Sequence, residues 1–92
     1  MQFIRRLEWD DTNTDHIAEH GVTVEEVEEV CFSRPLLLKS RRETRLVFGR
    51  TADGAYLLVV VRLKEKGMAR CITARPMTAK EKRYFLRRRR PT

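Results

Sequence analysis

Long apolar runs are missing from this sequence. The longest extends from Tyr56 to Val61, which is the length of a β-strand and far short of the roughly 20 residues that cross a bilayer. The first residues also lack the apolar stretch of a signal peptide. We therefore expect a cytoplasmic protein whose 92 residues form one domain, 1–92.

Cysteine and histidine are scarce, with two residues of each type. Cys31 and Cys71 form no CxxC pattern, which excludes a zinc ribbon, and we interpret them as reduced, half-buried hydrophobic residues. The segment from His16 to His20 fits H-x-x-E-H, the pattern of inverted zinc proteases. A catalytic zinc needs a third protein ligand, and no further histidine exists, so we expect neither a metal nor another cofactor.

Acidic residues become rare after residue 33. The net charge is −7 for residues 1–33 and +14 for residues 34–92, and fifteen of the twenty basic residues are arginines. The planar guanidinium group suits two-pronged contacts with phosphate better than the ammonium group of lysine does. This segregation favours a surface that binds a polyanion, and it predicts nucleic acid rather than a merely soluble basic surface.

Apolar periodicity, turn residues and helix caps predict the order β-α-α-β-β-β-β-α. The predicted elements are a strand at 3–9, a helix that ends at His20, a helix opened by Thr23, strands at 36–39, 45–50, 56–63 and 69–75, and a helix from Thr78 to about Arg90. Both Thr23-Val24-Glu25-Glu26 and Thr78-Ala79-Lys80-Glu81 are capping boxes. Strands joined by hairpins predict a small antiparallel sheet of the α+β class, with the two N-terminal helices and the C-terminal helix on one face and a basic tail at 87–92.

Three motifs in this order resemble the BrnT-type toxins. They are Glu8-Trp9-Asp10 with Asn13 and His20-Gly21-Val22, then Gly49-Arg50-Thr51-Ala52-Asp53-Gly54, then Ile72-Thr73-Ala74-Arg75-Pro76-Met77-Thr78 with Glu81 and Tyr84. The resemblance covers the chain from about Leu7 to Phe85. The sequence departs from the family at Arg62, where relatives often carry a histidine, and in the four-arginine tail.

The resemblance implies a compact RelE-like ribonuclease fold and membership of a type II toxin-antitoxin pair. In such a pair the toxin cleaves RNA. It is neutralised by a DNA-binding antitoxin of ribbon-helix-helix type, which also represses its own operon. The expected partners are therefore RNA and a cognate antitoxin, in a hetero-oligomer.

Metal-independent RNA cleavage needs a base near the 2′-hydroxyl, an acid near the leaving 5′-oxygen and cations around the developing charge. The predicted catalytic residues are His20, Arg62, Arg75 and Lys80. The predicted RNA-binding residues are Arg50, Arg70, Arg83 and Tyr84. Strand alternation places Arg75 on the sheet face of Cys71 and Thr73, opposite Arg70.

Each candidate also has a structural interpretation. His20 can cap a helix through the helix dipole, Arg75 can brace the final helix, and Tyr84 can anchor that helix in the core. Arg50 and Arg62 can be solvated residues at strand ends. For the whole chain, the alternatives are a non-catalytic RNA- or ribosome-binding module and an interaction protein whose basic face docks an acidic antitoxin segment.

Overall fold

The computed structural model describes residues 4–88. Within this range the predicted element order is confirmed. The elements are β1 (Arg6–Glu8), α1 (Asp11–Ala18), α2 (Val24–Phe32), β2 (Leu36–Lys39), β3 (Thr44–Arg50), β4 (Tyr56–Leu63), β5 (Met68–Pro76) and α3 (Ala79–Arg88). Phe3 of the predicted first strand and residues 89–92 of the predicted basic tail lie outside the described residues. No helix in this part of the chain has the length and hydropathy needed to span a membrane.

The strands form one sheet in the order β1-β5-β4-β3-β2. The strands β2 to β5 are antiparallel, as predicted, but β1 runs parallel to β5, with Glu8 opposite Arg70. The prediction of a wholly antiparallel sheet is therefore wrong for β1. Only strands joined by short hairpins are bound to be antiparallel, whereas β1 and β5 are separated by all the intervening elements and are free to pair either way.

Helices cover both faces of the sheet. The helices α1 and α2 bury Ile17, Val27 and Val30 in the larger core cluster, whereas Phe85 of α3 packs with Phe48 and Leu58 on the opposite face. The prediction that all helices share one face is wrong, because β3 and β4 are apolar on both faces and each face needs a cover.

Close contacts at two positions hold α1 and α2 against the sheet. Asp10 and Asn13 form a capping box at the start of α1, and the buried Asn13 amide also donates to the carbonyl oxygens of Glu8 at 2.9 Å and Cys71 at 3.0 Å. On the other helix, α2 approaches β3 so closely that a Cβ atom on Gly49 would lie 2.6 Å from Cγ1 of Val30. The first and second sequence motifs thus contain residues that hold the layers together.

The predicted caps are confirmed at both later helices. Thr23 and Glu26 exchange hydrogen bonds at the start of α2, and Thr78 and Glu81 do the same before α3. Each box satisfies backbone N–H groups that have no partner inside the helix.

Candidate nucleic-acid interface

A β-bulge decides which side chains of β5 share a face. Val61 is opposite Cys71 whereas Val60 is opposite Thr73, so the register shifts by one residue at Ile72. Cys71 and Ala74 therefore both point into the α1–α2 core although they are three positions apart. The alternation predicted for β5 is wrong beyond the bulge.

This register brings four predicted residues to the sheet face on which α3 packs. Arg62 is opposite Arg70, Leu58 is opposite Arg75, and Arg50 is opposite Tyr56. Because side chains alternate along each strand, Arg62 shares the face of Leu58, and its cross-strand partners share that face too. Arg50, Arg62, Arg70 and Arg75 thus lie on one face.

The helix α3 covers only one end of that face. Phe85 packs in one cluster with Phe48 and Leu58, and Tyr84 contacts the ring of Phe48 at 5.8 Å between centroids. The remaining area, which we call the open face, has only half-buried or exposed side chains. The open face consists of Thr44, Val60, Arg62, Arg70 and Thr73.

Arg62 is the exposed cation of the open face. It lines a cleft of about 480 Å³ together with Arg41, Arg42, Glu43 and Thr44. Its side chain makes no hydrogen bond or ion pair with any residue from 4 to 88. The cleft therefore presents guanidinium groups whose donors are available to an anion.

The other cation of the open face is paired. Arg70 binds the carboxylate of Asp10 through two hydrogen bonds and also reaches Glu8, to which Lys64 donates as well. Arg70 lowers the pKa of Asp10, and Lys64 lowers the pKa of Glu8. Arg70 thus links β5 to β1 and to the cap of α1. Its guanidinium group is therefore less available to an external anion than that of Arg62.

Arg75 braces α3, as the structural interpretation proposed. Its two terminal nitrogens each lie 2.8 Å from a carboxylate oxygen of Glu81. Hydrogen bonding from Arg75 lowers the pKa of Glu81 to about 2 and raises the pKa of Arg75 itself. Glu81 is therefore a carboxylate at neutral pH and a weak general base.

The predicted residues of α3 share one side of the helix, because Lys80, Arg83 and Tyr84 are three and four positions apart. Lys80 and Arg83 are exposed. Tyr84 is half-buried against Phe48, and Arg88 lies 5.0 Å from the centre of its ring. Tyr84 thus has the anchoring role that its aromatic side chain suggested.

His20 does not join the arginines. It is exposed in the turn after α1, its ring 5.9 Å from that of His16. The helix α1 packs through Ile17 on the sheet face opposite α3. The structure therefore places Arg62, Arg70 and Arg75 on one face of the sheet and His20 beyond a helix that covers the other face.

Metal ligands do not converge in the described chain. Residues 4–88 contain no group of three or more histidine, cysteine, aspartate or glutamate side chains that could hold an ion. The thiols of Cys31 and Cys71 are free and buried more deeply than the sequence suggested, and burial raises the pKa of each to about 12.

Sequence reasoning missed part of the cleft. Arg41 and Arg42 lie in the turn between β2 and β3, and we had assigned them no role. Two adjacent arginines in a tight connection between strands were the available signal, because such a turn carries its side chains to the end of the sheet.

The fold and the surface define a small α+β protein with one arginine-rich sheet face. The family model described as the ribonuclease toxin, BrnT, of type II toxin-antitoxin systems matches residues 9–81. The chain belongs to this family of ribonuclease toxins. Comparison with curated proteins and with solved structures found no match.

Proposed function

We propose that this toxin cleaves RNA at the open face without a metal ion and that Arg62 is its main catalytic residue. The observation that carries the proposal is the cleft at Arg62, where exposed arginines adjoin a half-buried polar surface. A scissile phosphate bound there would meet the guanidinium group of Arg62, which pairs with no carboxylate of residues 4–88.

The chemistry requires no external nucleophile. The 2′-hydroxyl attacks the neighbouring phosphate, the 5′-oxygen leaves, and negative charge develops on the non-bridging oxygens. We assign the stabilisation of that charge to Arg62; Arg75 shares the same face but is opposite Leu58, four residues from Arg62 along β4, or about 13 Å. Lys80 is the proposed proton donor to the leaving oxygen, and His20 stays a candidate for the base, although its position after α1 favours a structural role.

The partners follow from the family. We propose that Arg70, Arg50, Arg83 and Tyr84 bind the RNA strand, that a ribbon-helix-helix antitoxin covers the open face, and that the pair acts in the cytoplasm. The RelE-like description of the fold is part of the same proposal. The alternative is a module on this fold that binds RNA or the ribosome without cleaving RNA. The departure from the family at Arg62 is the observation that favours this alternative.

Cleavage of a mixed RNA in the presence of EDTA tests the proposal. We expect the wild-type protein to cleave, and we expect Arg62→Ala to lower the rate by about 10²–10³-fold, the usual loss when one donor to a developing oxyanion is removed. Lys39→Ala is the matched control, because Lys39 is exposed and its position is on the opposite face of the sheet from Arg62. Binding without cleavage by the folded wild-type protein would favour the alternative.

Arg75 requires a second comparison, because its removal also frees Glu81. Glu81→Gln breaks the same ion pair but keeps the guanidinium group. If Arg75 stabilises the reacting phosphate, Arg75→Ala lowers the cleavage rate at least tenfold more than Glu81→Gln. Equal rates for the two variants would leave Arg75 with a bracing role only. Adding His20→Gln to the series tests whether His20 acts as the base.

A further inference from the structure

Two cations lie against one aromatic ring at the far end of the α3 face. The guanidinium carbon of Arg50 is 5.7 Å from the ring centre of Tyr56, and Nζ of Lys82 is 4.3 Å from the same centre. Both distances fall within the range of cation–π contacts. The two charges therefore lie within about 10 Å of each other.

Residues 4–88 supply no carboxylate that pairs with either cation. Neither Arg50 nor Lys82 forms an ion pair in the part of the chain that the structure describes, whereas Arg70, Arg75 and Lys64 all do. The acid next to Lys82 in the sequence is Glu81, and Arg75 occupies both of its oxygens. Two like charges are thus held close together without a counterion, which creates a local positive potential.

The ring that orients them is fixed. Tyr56 contacts Phe85 edge-on at 6.1 Å between centroids, and its carbonyl oxygen accepts a hydrogen bond from the Met77 backbone at 2.9 Å. It is also the register partner of Arg50 in the β3–β4 pair. The positions of both cations are therefore tied to the sheet and to α3.

We propose that Arg50, Tyr56 and Lys82 form a second phosphate-binding site, which holds the backbone of single-stranded RNA away from the cleavage site. Tyr56 and Arg62 are six residues apart in β4, or about 20 Å at the usual rise of a strand. The site would therefore bind a different phosphate from the one that Arg62 contacts. The inference rests on the proposed function, since it takes RNA as the ligand.

The salt dependence of RNA binding tests this site separately from cleavage. The probe is a 2′-O-methyl RNA of about 12 nucleotides, which lacks the attacking hydroxyl and matches the length that single-strand-binding folds cover. Each phosphate neutralised on a single strand contributes about 0.7 to the slope of log K against log salt. We expect the double variant Arg50→Gln/Lys82→Gln to lose about 0.7–1.4 of that slope.

Lys39→Gln/Lys66→Gln removes the same net charge from exposed lysines elsewhere and should leave the slope unchanged. An equal loss in this control, or an unchanged slope in Arg50→Gln/Lys82→Gln, would overturn the second site while leaving cleavage at Arg62 intact. If Arg50→Gln/Lys82→Gln weakened binding to poly-L-glutamate but not to the RNA, the ligand would be an acidic protein, and the proposed phosphate site would be overturned. A wild-type protein that neither binds nor cleaves RNA would overturn the proposed function as well.

Discussion

The ion pair between Glu81 and Arg75 fixes the first turn of α3 to the end of β5. Because the pKa of Glu81 falls from 4.5 to about 2 on folding, its contribution to stability is present above pH 4.5 and is lost as the pH falls towards 2. We expect Glu81→Gln to lower the free energy of unfolding by about 1 kcal/mol near neutral pH, because the pair is partly exposed.

Urea unfolding of both proteins from about pH 7 to pH 2 measures this difference. The gap between wild type and Glu81→Gln should shrink below pH 4.5 and close near pH 2. Glu8 and Asp10, whose pKa values are also lowered, are present in both proteins and so cancel. A gap that stays constant over this range would mean that the carboxylate charge does not stabilise α3.

At the scale of single residues, the sequence predicted which residue types would form the site better than it predicted which residues would contact each other. Arginines at strand ends were identified from charge and from the predicted strands, and Arg50 and Arg62 do lie at or next to the ends of β3 and β4. The sequence suggested that Arg75 could brace the final helix, but it did not identify Glu81, which also caps that helix, as the partner. A long side chain at a strand end can reach the next element, and spacing does not reveal this.

Three elements meet at one buried amide. Asn13 of α1 donates to β1 at Glu8 and to β5 at Cys71, and its oxygen accepts from the Asp10 backbone at 2.8 Å. Asn13→Ala leaves those backbone groups without that partner, and the carbonyl of Cys71 is buried, so we expect a loss of about 2 kcal/mol in the free energy of unfolding.

Chemical denaturation measures the effect. Thr14→Ala is a neighbouring control, because Thr14 also bonds through its side chain to Asp10 but is not buried. A loss for Asn13→Ala no larger than that of Thr14→Ala would contradict the structural role assigned to the first motif.

Local signals predicted every element of the described chain, and long-range signals were absent. Caps, hairpin turns and apolar runs are encoded in neighbouring residues, so the order of elements was predictable. The parallel pairing of β1, the position of α3 and the bulge at Ile72 depend on contacts between distant segments. The bulge matters most for the site, since it brings Arg75 to the face of Arg62.

Across the whole molecule, charge is divided between two sides. The acidic helices α1 and α2 cover one face of the sheet, whereas Arg50, Arg62, Arg70 and Arg75 share the other face with α3. A polyanion approaching the protein is therefore attracted to one side and repelled from the other. An antitoxin that blocks phosphate access must cover the basic side.

Charge reversal on the two sides tests this arrangement. We expect Lys80→Glu/Arg83→Glu on α3 to weaken antitoxin binding at least tenfold, because like charges across an interface are unfavourable. Asp15→Lys/Glu19→Lys is matched in the number of reversed charges and in exposure, and its side chains belong to the α1 side of the sheet. It should change binding less than about twofold, since surface charges away from an interface contribute little. Calorimetric titration with the cognate antitoxin measures both dissociation constants. If the α1 variant loses more affinity than the α3 variant, the antitoxin binds the acidic side, and it must then neutralise the toxin without covering Arg62.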